Sequence, residues 1–460
     1  MNHIDRRSFL KSAALAGLAA GIPKYVSAKP QAAARADQMI LLWMGGAMSQ
    51  TETFDPKRCT PYSKGMDTKS LLCTFPTIDT AVDGIKFCQG VEKIAGVIDR
   101  GAVLRSFVAR EYGAQAEDLQ HIPLQFKWHS GYTTPSTVAA PYMGAVVSKL
   151  LGPLNPDIPA YIEIGRSEQT ANVFLALQAF RTSGFLGSEY GSLMIPEASQ
   201  AGAVIRSRLE TGRFENRQAH FKALVEASPI AELGGSAQKE SMLNSLESAY
   251  RLMKSPAAQA FDLSAEPKPV YDTYNTGPFG RGCLLARRLV ESGARFVEVH
   301  VDFENAKGWD THDDGHNGQG KMKKTIDAPV AQLILDLEKS GRLDRTLIVL
   351  ATEFGRSTIG RGGSKAKTIE SPKNYGLHGH FGAAASCLLF GGGVKKGTVY
   401  GKTNDEYPCE TVEQPVPIHD LHATIYQLLG ISPRHSFEVE KRPFYVTKDG
   451  IGKPIQALIG

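Results

Sequence analysis

Short apolar runs separated by stretches of helical periodicity constrain this chain more than any other feature. Met39 to Met44 is apolar at every position. A strand with no polar face needs cover on both sides, and a parallel sheet held between helices supplies it. Ala102–Phe107, Ala160–Ile164, Phe296–Val301, Leu347–Thr352 and Ser386–Phe390 read as further strands; Phe296–Val301 alternates apolar and polar residues as a half-buried strand does. Between the later strands, Ile326, Val330, Leu333, Ile334 and Leu337 share one helix face, which Gly341 ends. Leu421, Ile425, Leu428 and Leu429 form another, with Asp420 as cap or first-turn acid and Gly430 as stop. The prediction is an α/β chain with a mostly parallel sheet flanked by helices.

The middle of the chain is different. From Glu197 to Lys254 it is rich in Ala, Glu, Gln, Arg and Leu, and Ser264 to Pro278 carries Pro267, Pro269 and Pro278. We read a helical insertion over about residues 197–268, followed by an irregular connector, within one domain over 29–460.

The amino terminus predicts the compartment. Arg6-Arg7-Ser8-Phe9-Leu10-Lys11 is a twin-arginine pattern, followed by a weakly apolar run and the small-residue stop Val26-Ser27-Ala28. Residues 1–28 are therefore expected to be a signal peptide recognised by the twin-arginine export machinery, leaving a periplasmic or secreted protein. No later apolar run approaches the length of a membrane span, so no stable span is expected. Of the formal net charge of +5, the leader's four bases and one acid contribute three, which leaves no electrostatic case for a nucleic-acid partner. The six cysteines are bound for an oxidising space. A disulfide among Cys59, Cys73 and Cys88 is expected, and Cys387 is read as a buried thiol.

Chemistry concentrates after the fourth strand. Trp309-Asp310-Thr311-His312-Asp313-Asp314-Gly315-His316 places three carboxylates and two imidazoles in eight residues, on the loop that leaves a strand's carboxyl end. In open α/β sheets ligands bind at that edge. Asp- and Gly-rich loops are common as solvated turns; the coincidence of two His with three Asp is what argues for a cation. Glu353-Phe354-Gly355-Arg356 follows the next strand, and His378 and His380 come about 25 residues later. Three strand-end loops thus offer ligands to one edge. His300, inside its strand, is read as a satisfied core or surface histidine.

Together the leader, Gly45 to Lys57 with its Gly45-Gly46 and Asp55-Pro56, Gly308-Trp309-Asp310-Thr311-His312, Glu353-Phe354-Gly355-Arg356 and Gly391-Gly392-Gly393-Val394-Lys395-Lys396-Gly397 with Tyr400-Gly401 resemble the domain-of-unknown-function 1501 family, from about Gln38 to Ile431. That family is similar in fold to the alkaline phosphatase and sulfatase superfamily, whose members hold one or two divalent metals at the carboxyl edge of a largely parallel sheet. The resemblance implies a three-layer alkaline phosphatase/sulfatase-like fold. It places Glu353 where the superfamily has the Asp of an Asp-His metal pair, with Phe354 in place of the histidine. His378 keeps an imidazole whose neighbouring carboxylate has become Leu377. Gly45 and Gly46 replace a metal-binding Asp, which leaves Gln50, Glu52 and Asp55 as substitutes.

On this reading Asp310, His312, Asp313, His316, Glu353 and His378 ligate a divalent ion (Zn, Mg, Mn or Ca). His121 and His380 act as general acid or base or support the ligands, and Arg356 clamps an anion. The superfamily's nucleophile, a formylglycine from Cys or a Ser or Thr, has no cysteine counterpart here. The corresponding stretch is His121-Ile122-Pro123 and Ser130-Gly131. Either His121 attacks or binds metal, or Ser130 or Thr133 serves, or a metal-activated water attacks. The expected function is an exported metal-dependent hydrolase-like protein acting on a sulfate or phosphate ester, small or glycan-borne. The alternative is a non-catalytic periplasmic or cell-surface protein that holds an anionic carbohydrate in the same cleft. An exported redox enzyme fits poorly, since the chain has no Cys-x-x-Cys and no Gly-x-Gly-x-x-Gly after the first strand.

Overall fold

A computed structural model describes residues 33–109, 119–133, 138–165, 183–205, 211–229, 235–301, 308–357, 367–376 and 378–460. The leader lies outside these residues. The main sheet has nine strands: β1 (Gln38–Met44), β2 (Gly101–Val108), β3 (Tyr161–Ile164), β4 (Leu193–Ile195), β5 (Phe296–Val301), β6 (Thr346–Ala351), β7 (Ala385–Phe390), β8 (Thr398–Tyr400) and β9 (Val416–Pro417). Their order is β8-β2-β7-β6-β1-β5-β3-β4, with β9 also pairing to β2. β1 runs parallel to both neighbours, Leu42 lying opposite Val299 and Leu350. Among the described strands of this sheet only β7 is antiparallel to its neighbours.

Alternate residues of β1 enter two different cores, as the pleat requires. Ile40 and Leu42 pack with Val297, Val299, Ile348 and Leu350 beneath helices α3 (Pro278–Glu291) and α4 (Gly315–Lys339), whose apolar stripes include Cys283, Leu284, Ile326, Val330 and Leu333. Met39, Leu41 and Trp43 face the other way, toward α2 (Met143–Leu151) and α5 (Ile418–Leu428), through Val146, Leu421 and Ile425. The result is the expected three-layer α/β fold. Glycines in the left-handed region end two helices as the sequence predicts, Gly341 after α4 at φ 69° and Gly430 after α5 at φ 75°.

Three expectations are corrected. Phe296–Val301 is buried on both faces, Glu298 and His300 included, because α1 (His121–Ser130) covers the side that alternation assigned to solvent. The Pro-rich connector contains a helix, Lys268–Tyr274: Pro269 sits in its first turn, where a missing N–H costs nothing, and Tyr274 is buried with its hydroxyl on Asp336 (2.8 Å). All six cysteines are free thiols. In the middle region the described helices are Ala201–Ile205, Thr211–Ala227 and Ser236–Lys254. Among the described residues no helix is long and apolar enough to cross a membrane.

Candidate metal centre

The carboxyl ends of β1, β5 and β6 open onto one edge of the sheet, and the segment that leaves β5 is shaped there by tight local bonds. Trp309 is fully buried and anchors the loop in the core. The Thr311 amide bonds back to the Trp309 carbonyl (2.9 Å) and that of His312 to the Asp310 carbonyl (3.2 Å). These two turns carry Asp310 and His312 to the same side, and the His312 Nε2 lies 2.9 Å from Asp310 Oδ1. Gly46, at φ 102°, lets the turn after β1 come close, since a Cβ there would stand 2.8 Å from the Asp310 amide nitrogen.

Two further histidines reach the same point. His121 opens α1, a helix closed at its far end by Gly131 in the left-handed region. His380 lies on Gly379–Phe381, which pairs with Gly355–Ser357 in a small two-stranded antiparallel sheet, Arg356 opposite His380. His121 Nε2 is 3.3 Å from Asp310 Oδ1, and His380 Nε2 is 3.2 Å from His312 Nε2. Ligand atoms of His121, Asp310, His312 and His380 all lie within 4.8 Å of one another.

The opposite nitrogens are anchored. His121 Nδ1 meets Glu353 Oε1 at 2.6 Å and His380 Nδ1 the Leu119 carbonyl at 2.6 Å. An acceptor on Nδ1 fixes the proton there and leaves the Nε2 lone pair for a cation, the arrangement that orients metal-binding histidines elsewhere. Glu353 is itself held by the Gly46 amide (2.9 Å) and the Thr352 hydroxyl (3.1 Å). Burial pushes the His380 pKa down, helped by the charges of His121 and Arg356, to about 3, so this imidazole is neutral at neutral pH. For His121 burial opposes the charge, but Asp310 and Glu353 outweigh it and raise its pKa. For Asp310 burial is likewise overcome, by His121, His312 and Arg356, and the carboxylate is held far below its usual range.

Of the residues expected as ligands, Asp310 and His312 are in this group, and it includes the two histidines assigned to catalysis, His121 and His380. The other four stand apart from it. Glu353 supports His121 from behind. His378 is fully buried, Nε2 on Glu52 (3.2 Å) and Nδ1 on the Thr311 hydroxyl (3.1 Å), bracing the loop. His316 stacks on Phe75 at 4.4 Å. Asp313 is exposed and accepts the Asp314 amide. Arg356 is buried, with Nε on the Ala47 carbonyl (3.0 Å), Nη1 on that of His378 (3.1 Å) and Nη2 on the Gly46 carbonyl (2.6 Å) and on Asp310. Its donors serve the protein and orient Asp310. Gln50 clamps the Arg356 backbone through both amide atoms (2.9 and 3.1 Å). Asp55 lies with Lys57 and Thr403, away from the cluster. Ser130 is at the opposite end of α1 from His121, its hydroxyl donating to the Phe126 carbonyl (2.7 Å), which does not suit a nucleophile for this site. Thr133 is exposed beyond it.

The donor set fits a divalent metal ion. Two imidazole Nε2 atoms 3.2 Å apart need a shared proton or a cation between them, and a carboxylate completes a four-atom set of N and O donors.

The chain belongs to the family described as "Protein of unknown function (DUF1501)", whose model matches residues 36–459. No curated protein matches it by sequence. The solved structures it is similar to include three of low identity. The lipoteichoic acid synthase LtaP from Listeria monocytogenes is 9% identical over 92% of this chain and 79% of that one, with a TM-score of 0.36. A protein in the alkaline phosphatase superfamily from Vibrio parahaemolyticus is 9% identical over 93% and 76%, at 0.36. The PsFucS1 sulfatase from Pseudoalteromonas sp. is 12% identical over 86% and 68%, at 0.33.

Proposed function

We propose that this protein is an exported, metal-dependent hydrolase acting on a sulfate or phosphate ester, with His121, Asp310, His312 and His380 holding the ion. Export rests on the Arg6-Arg7 leader. The observation that carries the rest is the convergence of three imidazoles on one carboxylate, two of them with the far nitrogen already anchored. A bound divalent ion supplies Lewis acidity toward an ester oxygen and a lowered pKa for water.

The chain's own residues do the positioning. Glu353 fixes the tautomer of His121, the Leu119 carbonyl fixes that of His380, and Arg356 holds Asp310 through Oδ1, the same oxygen that His121 and His312 approach. With Ser130 turned into its own helix, water is the nucleophile this arrangement favours.

The test is elemental analysis of protein purified from the cytoplasm without chelators, then turnover of a panel of aryl sulfates and aryl phosphates. Metal content with chelator-sensitive turnover is expected. Metal with no turnover across the panel moves the reading to a non-catalytic protein that holds an anionic carbohydrate.

A further inference from the structure

Three of the six cysteines gather behind the loop that carries Asp310 and His312, graded from surface to interior. Cys59 is half-buried, whereas Cys73 and Cys88 are fully buried. Cys59 and Cys73 face each other across a parallel β-bridge. Chains so paired lie about 4.8 Å apart, inside the Cα separation a disulfide spans. Cys73 and Cys88 have their sulfurs 3.7 Å apart. The backbone fixes this approach: the Cys88 amide bonds to the Thr53 carbonyl (2.8 Å) and the Thr74 amide to Glu52 (3.0 Å). The Cys73 thiol also lies 3.4 Å from Glu52 Oε2. Glu52 in turn holds His378, and His378 holds Thr311, the residue between Asp310 and His312.

We propose that Cys73 and Cys88 are an oxidisable dithiol reached through Cys59, and that closing their disulfide withdraws a hydrogen-bond donor from Glu52. The oxidant is a small disulfide. Cys59 thiolate attacks one of its sulfurs and expels a thiol, giving a mixed disulfide at Cys59. Cys73 attacks the Cys59 sulfur and expels the second thiol. Cys88 then attacks Cys73, and Cys59 leaves as thiolate and is reprotonated. Two protein thiols are oxidised and one external disulfide is reduced to two thiols. Contact with Cys88 and burial both raise the Cys73 thiol pKa, so the sequence is slow at neutral pH and quickens as pH rises.

The probe is oxidised glutathione added to the folded, reduced chain, followed by alkylation in denaturant and peptide mapping. The expected product is a Cys73–Cys88 cross-link, with the thiol count falling from six to four. A glutathione adduct on Cys59 should precede it in time. Cys59→Ser should give the same cross-link about tenfold more slowly, since the remaining pair is buried. Glutathione that stays on Cys59 with no cross-link overturns the dithiol. A cross-link that forms without a preceding Cys59 adduct, or as fast in Cys59→Ser, overturns the route. None of these outcomes depends on whether the protein is a hydrolase.

Discussion

At the sheet's edge Asp310 meets His121 and His312, and His312 meets His380; three residues before β5 ends, Glu298 meets His129 and His300 in the core. In the inner set His129 has Nδ1 on the Gln125 carbonyl (2.8 Å) and Nε2 on Glu298 Oε1 (2.6 Å). His300 Nε2 is 2.9 Å from the same oxygen, and the Tyr161 hydroxyl is 3.1 Å from the other. Burial works against ionising Glu298, but the two histidines overcome it and hold the carboxylate well below its usual range. Each nitrogen of His129 faces an acceptor, so neither is left for an ion. At the edge, the Nε2 atoms of His312 and His380 face one another, and His312 is 20% exposed where the inner histidines are 2%. The residue types are the same in both places. What separates a structural ion pair from a candidate metal centre is where the lone pairs point and whether an ion can reach them.

The comparison breaks most visibly in the inner set. Glu298→Ala leaves His129 buried beside no carboxylate, at a cost of about 3–5 kcal/mol in urea unfolding, while the metal content of whatever folds stays that of wild type. Loss of metal with stability retained would reverse the two assignments. At the edge, Asp310→Asn should lower zinc affinity by about 100-fold or more in a competition titration, since the only carboxylate of the set is gone.

Glu353→Gln should act one layer out, with about a tenfold loss of affinity and a displaced pH profile. His121 has a raised pKa in the folded state, so its pairing stabilises the metal-free protein fully below the unfolded value near 6.5 and is lost as pH rises through the folded value. Metal binding needs the neutral imidazole and therefore strengthens over the same window. In Glu353→Gln both transitions should move toward lower pH; an unmoved profile would mean that Glu353 does not set the His121 proton. The smallest effect is expected at Asp313, exposed on the same loop, where Asp313→Asn should leave metal content unchanged.

Much of this was legible in the sequence because apolar patterning and burial are the same physics. Met39–Met44 and Leu347–Thr352 read as inner strands, and the edge onto which Asp310, His312 and Glu353 open follows from their position just after strands. The choice among the acids and histidines was not legible. Asp310 and Asp313 are equivalent by composition, and only the two tight turns at Trp309–His312 separate the buried one from the exposed one. His121 and His380 come from distant segments, and their role depends on the carboxylate and carbonyl behind them. The Glu298 pair was concealed for a related reason: Glu298 and His300 alternate as a solvent face does, and nothing local in sequence shows that α1 covers them. The one available hint was that His121, Gln125 and His129 recur every four residues, a polar stripe that the structure buries.

Everything proposed for the edge depends on Asp310 and three histidines holding one ion. Metal content per chain, measured by mass spectrometry of the elements after zinc loading and gel filtration, tests it directly on wild type and Asp310→Asn side by side. About one ion per chain is expected in the first and essentially none in the second; equal occupancy in the two proteins would remove Asp310 from the ligand set.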